Sequence, residues 1–399
     1  WDLALLSATS PAFEAPLVSV DGTKVATGKD FDQRGVVGAK AVALDEVRAR
    51  ALADGLGGQT FTVRSVEEKP YRSSPKPPFM TSTLQQEGGN KLRLSSSQVM
   101  RLAQGLYERG YITYMRTDSP TLSAEAMTAT RDAVTAEYGQ KFLSPQPKQY
   151  TAKSSAAQEA HEAIRPTTPY RSPQALQGEL NSQELSLYRL IWQRTLASQM
   201  ADATGFTVSV RLGAVSAHES TDCEFAASGT TITFPGYRAV YVAADADDDG
   251  TKEALLPQLA QGDAVPVESL TPNGHTTNPP ARYTEASLVK RLEELKIGRP
   301  STWASIIQTI QDRGYVWKKG QALVPTWTAF AVIGLLENHF DELVDYENTA
   351  KIEEDLDEIA AGQAQKDQWL RRFYFGGDDD LPGLKQLVES NLEHIDAAA

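Results

Sequence analysis

Tyr111-Ile112-Thr113-Tyr114-Met115-Arg116-Thr117-Asp118-Ser119 is the stretch from which the rest of the chain is read. Before it, Ser95–Ser97 can cap a helix running to Arg109, with Gly110 as its stop. Val99, Leu102, Ala103 and Leu106 give that helix one apolar face. In an extended segment after Gly110, side chains two residues apart share a face, so Tyr114 and Arg116 point the same way. A tyrosine is a weak nucleophile at its free pKa of about 10 and needs a nearby cation or base to act. Arg116 is such a cation. Taken singly, Tyr114 reads as an ordinary core or strand tyrosine and Arg116 as the surface partner of Asp118. Asp118 reads as an orienter or turn former, and Tyr111 as a core residue.

Moving outward, residues 79–200 read as mostly helical, with further helices over 123–137 and 182–200. On the N-terminal side, residues 1–75 read as β-rich. Phe61 to Val66 alternates in the strand manner, and Leu17 to Val20 does so with Asp21-Gly22 behind it as a turn signal. Residues 70–78 (PYRSSPKPP) form a Pro-rich connector. On the C-terminal side, short strands are expected at Phe206 to Val210, Thr230 to Phe234 and Ala239 to Val242. Residues 281–399 read as helical again, apart from a hairpin at 315–326. The order β, α, β, α is read most economically as an α+β multidomain fold. Residues 1–75 and 205–275 would build one β domain, 76–204 a helical domain inserted into it, and 276–399 a second helical domain.

Composition narrows the chemistry. The chain has 399 residues, 41% apolar and 23% charged, enough for two to four globular domains. No apolar run approaches the ~18–20 residues that span a bilayer. The single cysteine, Cys223, can form neither an internal disulfide nor a zinc site. It reads as a small apolar filler in a reducing, cytoplasmic setting. The chain opens on Trp1 in what looks like mid-strand, so it is expected to be a piece of a longer protein.

Net charge is −13, which first argues against nucleic acid. Its distribution says otherwise. Residues 337–399 hold 17 Asp/Glu and 5 Lys/Arg, a net of −12, so the rest sits near −1. Residues 70–119 hold seven bases against three acids, and 282–319 eight against four. Two locally basic segments suit local phosphate contact. Asp245-Ala246-Asp247-Asp248-Asp249-Gly250 looks like a calcium loop, but its twelfth position is Leu256 where a carboxylate is needed. It reads as a solvated acidic turn, and no metal site is assigned to this chain.

There is also an internal echo. Ser97 to Ile112 (SQVMRLAQGLYERGYI) lines up with Ser301 to Val316 (STWASIIQTIQDRGYV). This is either two ordinary capped helices or two helix-turn-helix-like units, the second followed by a basic wing.

Three further stretches accompany the first. They are Phe79 to Gln86 (FMTSTLQQ), Gln158 to Pro166 (QEAHEAIRP), and Pro280 to Val289 (PARYTEASLV) with Ile297 to Thr302 (IGRPST). In that order they closely resemble the motifs of the bacterial type IA DNA topoisomerases, over about residues 60–375. The resemblance implies that Tyr114 attacks single-stranded DNA and that Arg116 binds the scissile phosphate. It favours a phosphate contact for His161. Arg165 either contacts the backbone or pairs with Glu162. Arg299, Ser301 and Thr302 fall in the region with which the family grips the strand upstream of the cut. A helix N-terminus capped by Ser301 also suits phosphate. Trp303 and Trp317 can stack on bases, although burial is the commoner fate of tryptophan.

The family pattern further implies a β-rich arch (1–75 with 205–275), an inserted nucleophile domain, and a winged-helix-like base that closes a ring around DNA. Opening that ring would need the arch to hinge. Negatively supercoiled, underwound duplex would be relaxed through a 5′-phosphotyrosyl intermediate, by a monomer working at the nucleoid. Complete members carry an N-terminal acidic domain that binds Mg²⁺, and a C-terminal tail. This sequence supplies neither, so the chain alone is expected to bind single-stranded DNA weakly and not to relax supercoils. Two other readings stand beside this one. One is a non-catalytic single-stranded DNA-binding or architectural module. The other is a tyrosine recombinase with a 3′-phosphotyrosine link.

Overall fold

The computed structural model describes residues 1–32, 34–151, 162–218, 220–242, 256–377, 383–392 and 395. The chain begins with strands β1 (Asp2–Ser7), β2 (Glu14–Val20), β3 (Thr23–Val25) and β4 (Ala41–Val42), helix α1 (Glu46–Leu56) and the long strand β5 (Phe61–Ser73). Helices α2 (Thr81–Leu92), α3 (Ser96–Glu108), α4 (Ala124–Tyr138) and α5 (Ser182–Ser198) follow. The chain returns to strand with β6 (Ala203–Val215) and β7 (Asp222–Phe234), a single helical turn α6 (Ala239–Val242), β8 (Ala264–Val265) and β9 (Val267–Asn273). It continues with α7 (Glu285–Glu294), α8 (Trp303–Asp312), the hairpin β10 (Val316–Lys319) and β11 (Ala322–Pro325), and α9 (Trp327–His339). The last helices are α10 (Asp341–Val344), α11 (Tyr346–Ala360), α12 (Lys366–Phe375) and α13 (Leu384–Leu392). These elements form two compact units, Trp1–Pro75 with Met200–Pro280 and Lys76–Gln199 with Ala281–Ala399.

The first unit is built on a sheet in the order β4-β3-β2-β7-β6-β5-β8, with β1 pairing β2 and β9. Asp21 and Gly22 both adopt positive φ (49° and 74°), the backbone a two-residue hairpin turn needs between β2 and β3. Leu3, Leu5, Ala15 and Leu17 alternate inward from β1 and β2. They meet Leu52 and Leu56 of α1, Phe61 and Val63 of β5, Leu212 and Phe225. Phe61 and Phe225 pack edge to face at 5.7 Å. Each such side chain contributes ~1.5–3 kcal/mol when fully buried. Cys223 lies in this core, fully buried, as a small apolar filler would.

Two expectations for this unit need correction. The strands expected at 61–66, 206–210 and 230–234 are each 13 residues long. Beyond Val63, β5 stays laddered to β6 as far as Ser73↔Ala203 while Arg64–Ser73 is exposed or half-buried. A ribbon wet on both faces needs no alternation, so Glu67, Glu68, Lys69 and Pro70 hide it from a periodicity reading. Ala239–Val242 is a helical turn, not a strand. The preceding Gly236 has φ +51° and the backbone of Ala201 and Asp202 leaves no room for a side chain; a Cβ there would lie 2.4 Å from Asp202 O. The chain folds back, Tyr237 N–H donates to Ala201 O (2.8 Å), and β-pairing ends.

In the second unit, α3 follows its sequence closely. Ser95 Oγ accepts from Gln98 N–H (3.2 Å), and Gln98 Oε1 accepts from Ser95 N–H (2.8 Å), a closed capping box. Val99, Leu102, Ala103 and Leu106 are all buried. Gly88 of α2 abuts Val99, and Gly89 abuts Ala286 of α7, so α2 lies closely against both helices. The echo between α3 and α8 extends to their ends. Tyr111 N–H donates to Leu106 O (2.9 Å) and Tyr315 N–H to Ile310 O (3.0 Å), with Gly110 and Gly314 both at positive φ. Their starts differ. Thr302, not Ser301, occupies the N-cap of α8, its side chain makes no capping bond, and Ser301 is exposed.

Candidate active site

The segment after α3 is held by threonine hydroxyls. Thr81, at the start of α2, donates from Oγ1 to Met115 O (2.7 Å) and accepts from Thr117 N–H (2.8 Å). Its own N–H donates to Thr117 O (2.9 Å). Thr113 donates from Oγ1 to Ala163 O (2.7 Å) and accepts from Arg165 N–H (3.0 Å). Thr113 N–H donates to Arg165 O, and Ile164 N–H to Phe79 O (2.9 and 2.8 Å). Three of the stretches quoted above, Phe79–Gln86, Tyr111–Ser119 and the end of Gln158–Pro166, are thereby tied into one assembly. The hydroxyls of Thr81 and Thr113 hold this segment in place, and motif reading missed them. Their signal is only their place in the quoted stretches.

This pinning fixes which side chains face out. Ile112, Met115 and Thr117 are buried, whereas Tyr114 (42% exposed) and Arg116 are exposed. The Tyr114 ring stands edge-on to Tyr107 at 5.3 Å and 66°. Among the described residues no ion pair or hydrogen bond holds the Arg116 guanidinium, so the pairing with Asp118 is not made. Tyr111 is half-buried, not a core residue. Its hydroxyl donates to Glu179 (3.2 Å) and Arg109 lies over its ring.

Arg165 sits 8% exposed and is committed to the protein. It forms an ion pair with Glu162 and donates from Nη1 to Pro166 O (2.9 Å). Of its two open roles, the structure contains the pairing with Glu162. Glu162 also accepts from Ser123 N–H at the start of α4 (2.8 Å). Burial raises the Glu162 carboxyl, but the Ser123 bonds and the Arg165 charge outweigh it and leave its pKa below the ordinary value. His161 and the acidic stretch Asp245–Gly250 lie outside the described residues.

The fourth stretch joins the same helices. Glu285 accepts from Ser96 N–H at the start of α3 (2.6 Å) and pairs with Lys318 of β10. Ser82 Oγ donates to Glu293 (2.6 Å). Beyond α7 the turn Ile297–Thr302 is tight. Gly298 has φ +73°, Thr302 Oγ1 accepts from Arg299 N–H (2.8 Å), and Trp303 Nε1–H donates to Ile297 O (2.9 Å). Trp303 is therefore buried, while Trp317 is half-exposed. Arg299 donates to Glu353 O (2.9 Å) and pairs with Asp357 (2.7 Å) of α11. No hydrogen bond or ion pair among the described residues joins this turn to Tyr114 or Arg116.

Residues 21–371 match the family model described as DNA topoisomerase. The chain belongs to the bacterial type IA DNA topoisomerase family. It is 55% identical to DNA topoisomerase 1 of Mycobacterium tuberculosis over 410 residues, covering 98% of this chain and 43% of that protein. It is 53% identical to DNA topoisomerase 1 of Streptomyces coelicolor, covering all of this chain and 44% of the relative. The full-length topoisomerase I of Thermotoga maritima superposes with a TM-score of 0.76 at 30% identity, over 94% of this chain and 57% of that one. The chain thus spans less than half the length of the Mycobacterium tuberculosis and Streptomyces coelicolor relatives.

The family implies Mg²⁺, which takes hard oxygen ligands. Among the described residues no group of three or more His, Cys, Asp or Glu is arranged to hold a metal ion. The described residues of this stretch offer a single carboxylate, Asp118, besides a cation and threonine hydroxyls already bonded to backbone. These residues do not fit the ion, and no step is derived through it. No helix among the described residues is long and apolar enough to cross a membrane.

Proposed function

We propose that this chain is the strand-cleaving part of a type IA topoisomerase, in which Tyr114 is the nucleophile and Arg116 the phosphate-binding cation. The observation that carries the reading is the outward pair. Tyr114 and Arg116 are exposed on one side of an extended segment whose alternate residues are buried and pinned. The Tyr114 oxygen attacks a single-strand phosphorus, and the bond from phosphorus to the 3′ oxygen breaks. The tyrosine gives up its proton and the strand leaves with a 3′-hydroxyl. The 5′-phosphotyrosyl ester keeps the phosphodiester energy, because a phenolate leaves about as readily as it attacks. Arg116 can grip two phosphate oxygens and offset charge that builds in the transition state. After another strand passes, the 3′-hydroxyl reverses the attack, which relaxes underwound duplex.

In this reading residues 1–75 and 205–275 serve as an arch and 76–204 carry the nucleophile. Residues 276–399 grip the strand through Arg299 and Thr302, with Ser301 exposed beside them and His161 near the cut. The Arg165 pairing with Glu162 supports a positioning role for that arginine.

Covalent capture tests the proposal. The chain is supplied with the N-terminal metal-binding segment of a relative, Mg²⁺ and single-stranded DNA labelled at its 3′ end. Denaturing electrophoresis should show label travelling with the chain, and Tyr114→Phe should abolish it. Label that survives Tyr114→Phe, or that appears only with 5′-labelled DNA, overturns the assignment. Binding without any covalent band supports the non-catalytic module instead.

A further inference from the structure

We infer that Glu353 and Asp357 of α11 are positioning residues for the strand-gripping turn Ile297–Thr302, an inference that rests on Arg299 meeting the DNA strand. These acids lie in a segment whose net charge of −12 repels a polyanion. Glu353 Oε1 accepts the N–H of Gly298 (3.1 Å), and Glu353 O accepts from Arg299 Nη2 (2.9 Å). Asp357 Oδ2 accepts from the same Nη2 (2.7 Å), and Nη1 donates to Gly298 O (2.9 Å) while standing 3.5 Å from Glu353 Oε2. A guanidinium has five N–H donors. Its two terminal nitrogens are thus engaged by α11 and by the turn itself, and Nε–H has no partner among the described residues.

The turn is closely packed, and the contacts from α11 add to its own bonds. A Cβ on Gly298 would meet Thr302 Oγ1, Trp303 Cδ1 and Ile306 Cδ1 at 3.1–3.2 Å, and φ there is +73°. The tethers to α11 span more than 50 residues of sequence and fix both the backbone at Gly298 and the plane of the Arg299 side chain. Two half-exposed carboxylates beside a phosphate site cost modest repulsion through water. A pre-set cation gains more by not having to be ordered when the strand arrives.

The two effects have opposite signs, which makes the inference testable. If the acids only repel, neutralising them tightens single-stranded DNA binding. If they position Arg299, neutralising them weakens it. Binding of the full chain to a labelled single-stranded oligonucleotide would be followed by fluorescence anisotropy across a salt series. Asp357→Asn and Glu353→Ala are each expected to weaken binding about three- to tenfold. Arg299→Ala is expected to weaken it and to lower the salt slope by about 0.7, one phosphate on a single strand. In the Arg299→Ala background, Asp357→Asn should have no further weakening effect, because no cation remains to be positioned. Glu353→Ala keeps the backbone acceptor and gives an independent reading if Asp357→Asn disturbs folding, which circular dichroism would reveal. Tighter or unchanged binding in the single acid variants overturns the inference, as does weakening that persists without Arg299. Arg299→Ala with unchanged affinity and slope would instead remove the reading that Arg299 meets the strand.

Discussion

Thr81→Val replaces a hydroxyl by a methyl of the same shape at a site with no solvent exposure. The change strands two buried backbone groups, the Thr117 N–H and the Met115 carbonyl, which have no other hydrogen-bond partner among the described residues. Each buried group left unpaired costs ~1–3 kcal/mol, so the variant should lose about 2–4 kcal/mol of folding stability. Urea unfolding would read the loss. Native-state hydrogen exchange would locate it, since the Thr117 amide should exchange much faster in the variant while amides in the β-rich unit keep their protection. Tyr114 immediately precedes the first stranded group and Arg116 lies between the two, so covalent capture should fall by roughly tenfold or more as their placement loosens. A stability change below about 0.5 kcal/mol together with a still-protected Thr117 amide would refute the view that this hydroxyl fixes the segment.

Other outcomes follow from the same structure. Glu87, Glu162 and Glu285 are each raised by burial and lowered further by their partners, so all three end below the ordinary value. For Glu87 those partners are Arg194, Lys91 and Lys76. Carboxylates depressed in the folded state contribute stability above their unfolded pKa, near 4.5, and lose it as pH falls through the lower native values. The urea midpoint should thus hold steady from neutral pH to about 5 and drop below that; a rise on acidification would contradict it. Gly88→Ala should destabilise by about 1–3 kcal/mol although alanine favours helix, because its Cβ would stand 2.7 Å from Cγ2 of the fully buried Val99. Cys223 is pushed up to about 11 by burial and by Asp222 and Asp21. Its thiol should resist an aromatic disulfide reagent at pH 8 in the folded chain and react fully in urea.

How far the sequence carries depends on the kind of signal. The face, cap and stop of α3 are legible because they repeat at helical spacing or occupy fixed positions at a helix end. The outward pairing of Tyr114 with Arg116 is legible from the two-residue period of extended chain. The bonds that pin that segment are not, since a hydroxyl reaching a carbonyl 34 or 50 residues away leaves no period behind. Ala239–Val242 misleads because a four-residue apolar run favours strand on propensity, while the turn at Gly236 decides its course. The partners of Arg299 were hidden in a tail whose acids look like solvated charge, and only the folded chain brings Glu353 and Asp357 against it.

The pairing of β5 with β6 carries a consequence for how the chain is made. Arg72 and its partner Asp202 are 130 residues apart, and the whole helical stretch from α2 to α5 is translated between them. At roughly 5–20 residues per second a ribosome needs on the order of ten seconds to deliver the second strand after the first. For that interval β5 is an unpaired edge, the feature through which nascent chains aggregate. Its outer half reads Arg64-Ser65-Val66-Glu67-Glu68-Lys69-Pro70-Tyr71-Arg72. Dense charge of both signs and a proline are the residues that keep such an edge from recruiting a stranger. The same residues that conceal this strand from a periodicity reading protect it while it waits on the ribosome for its partner.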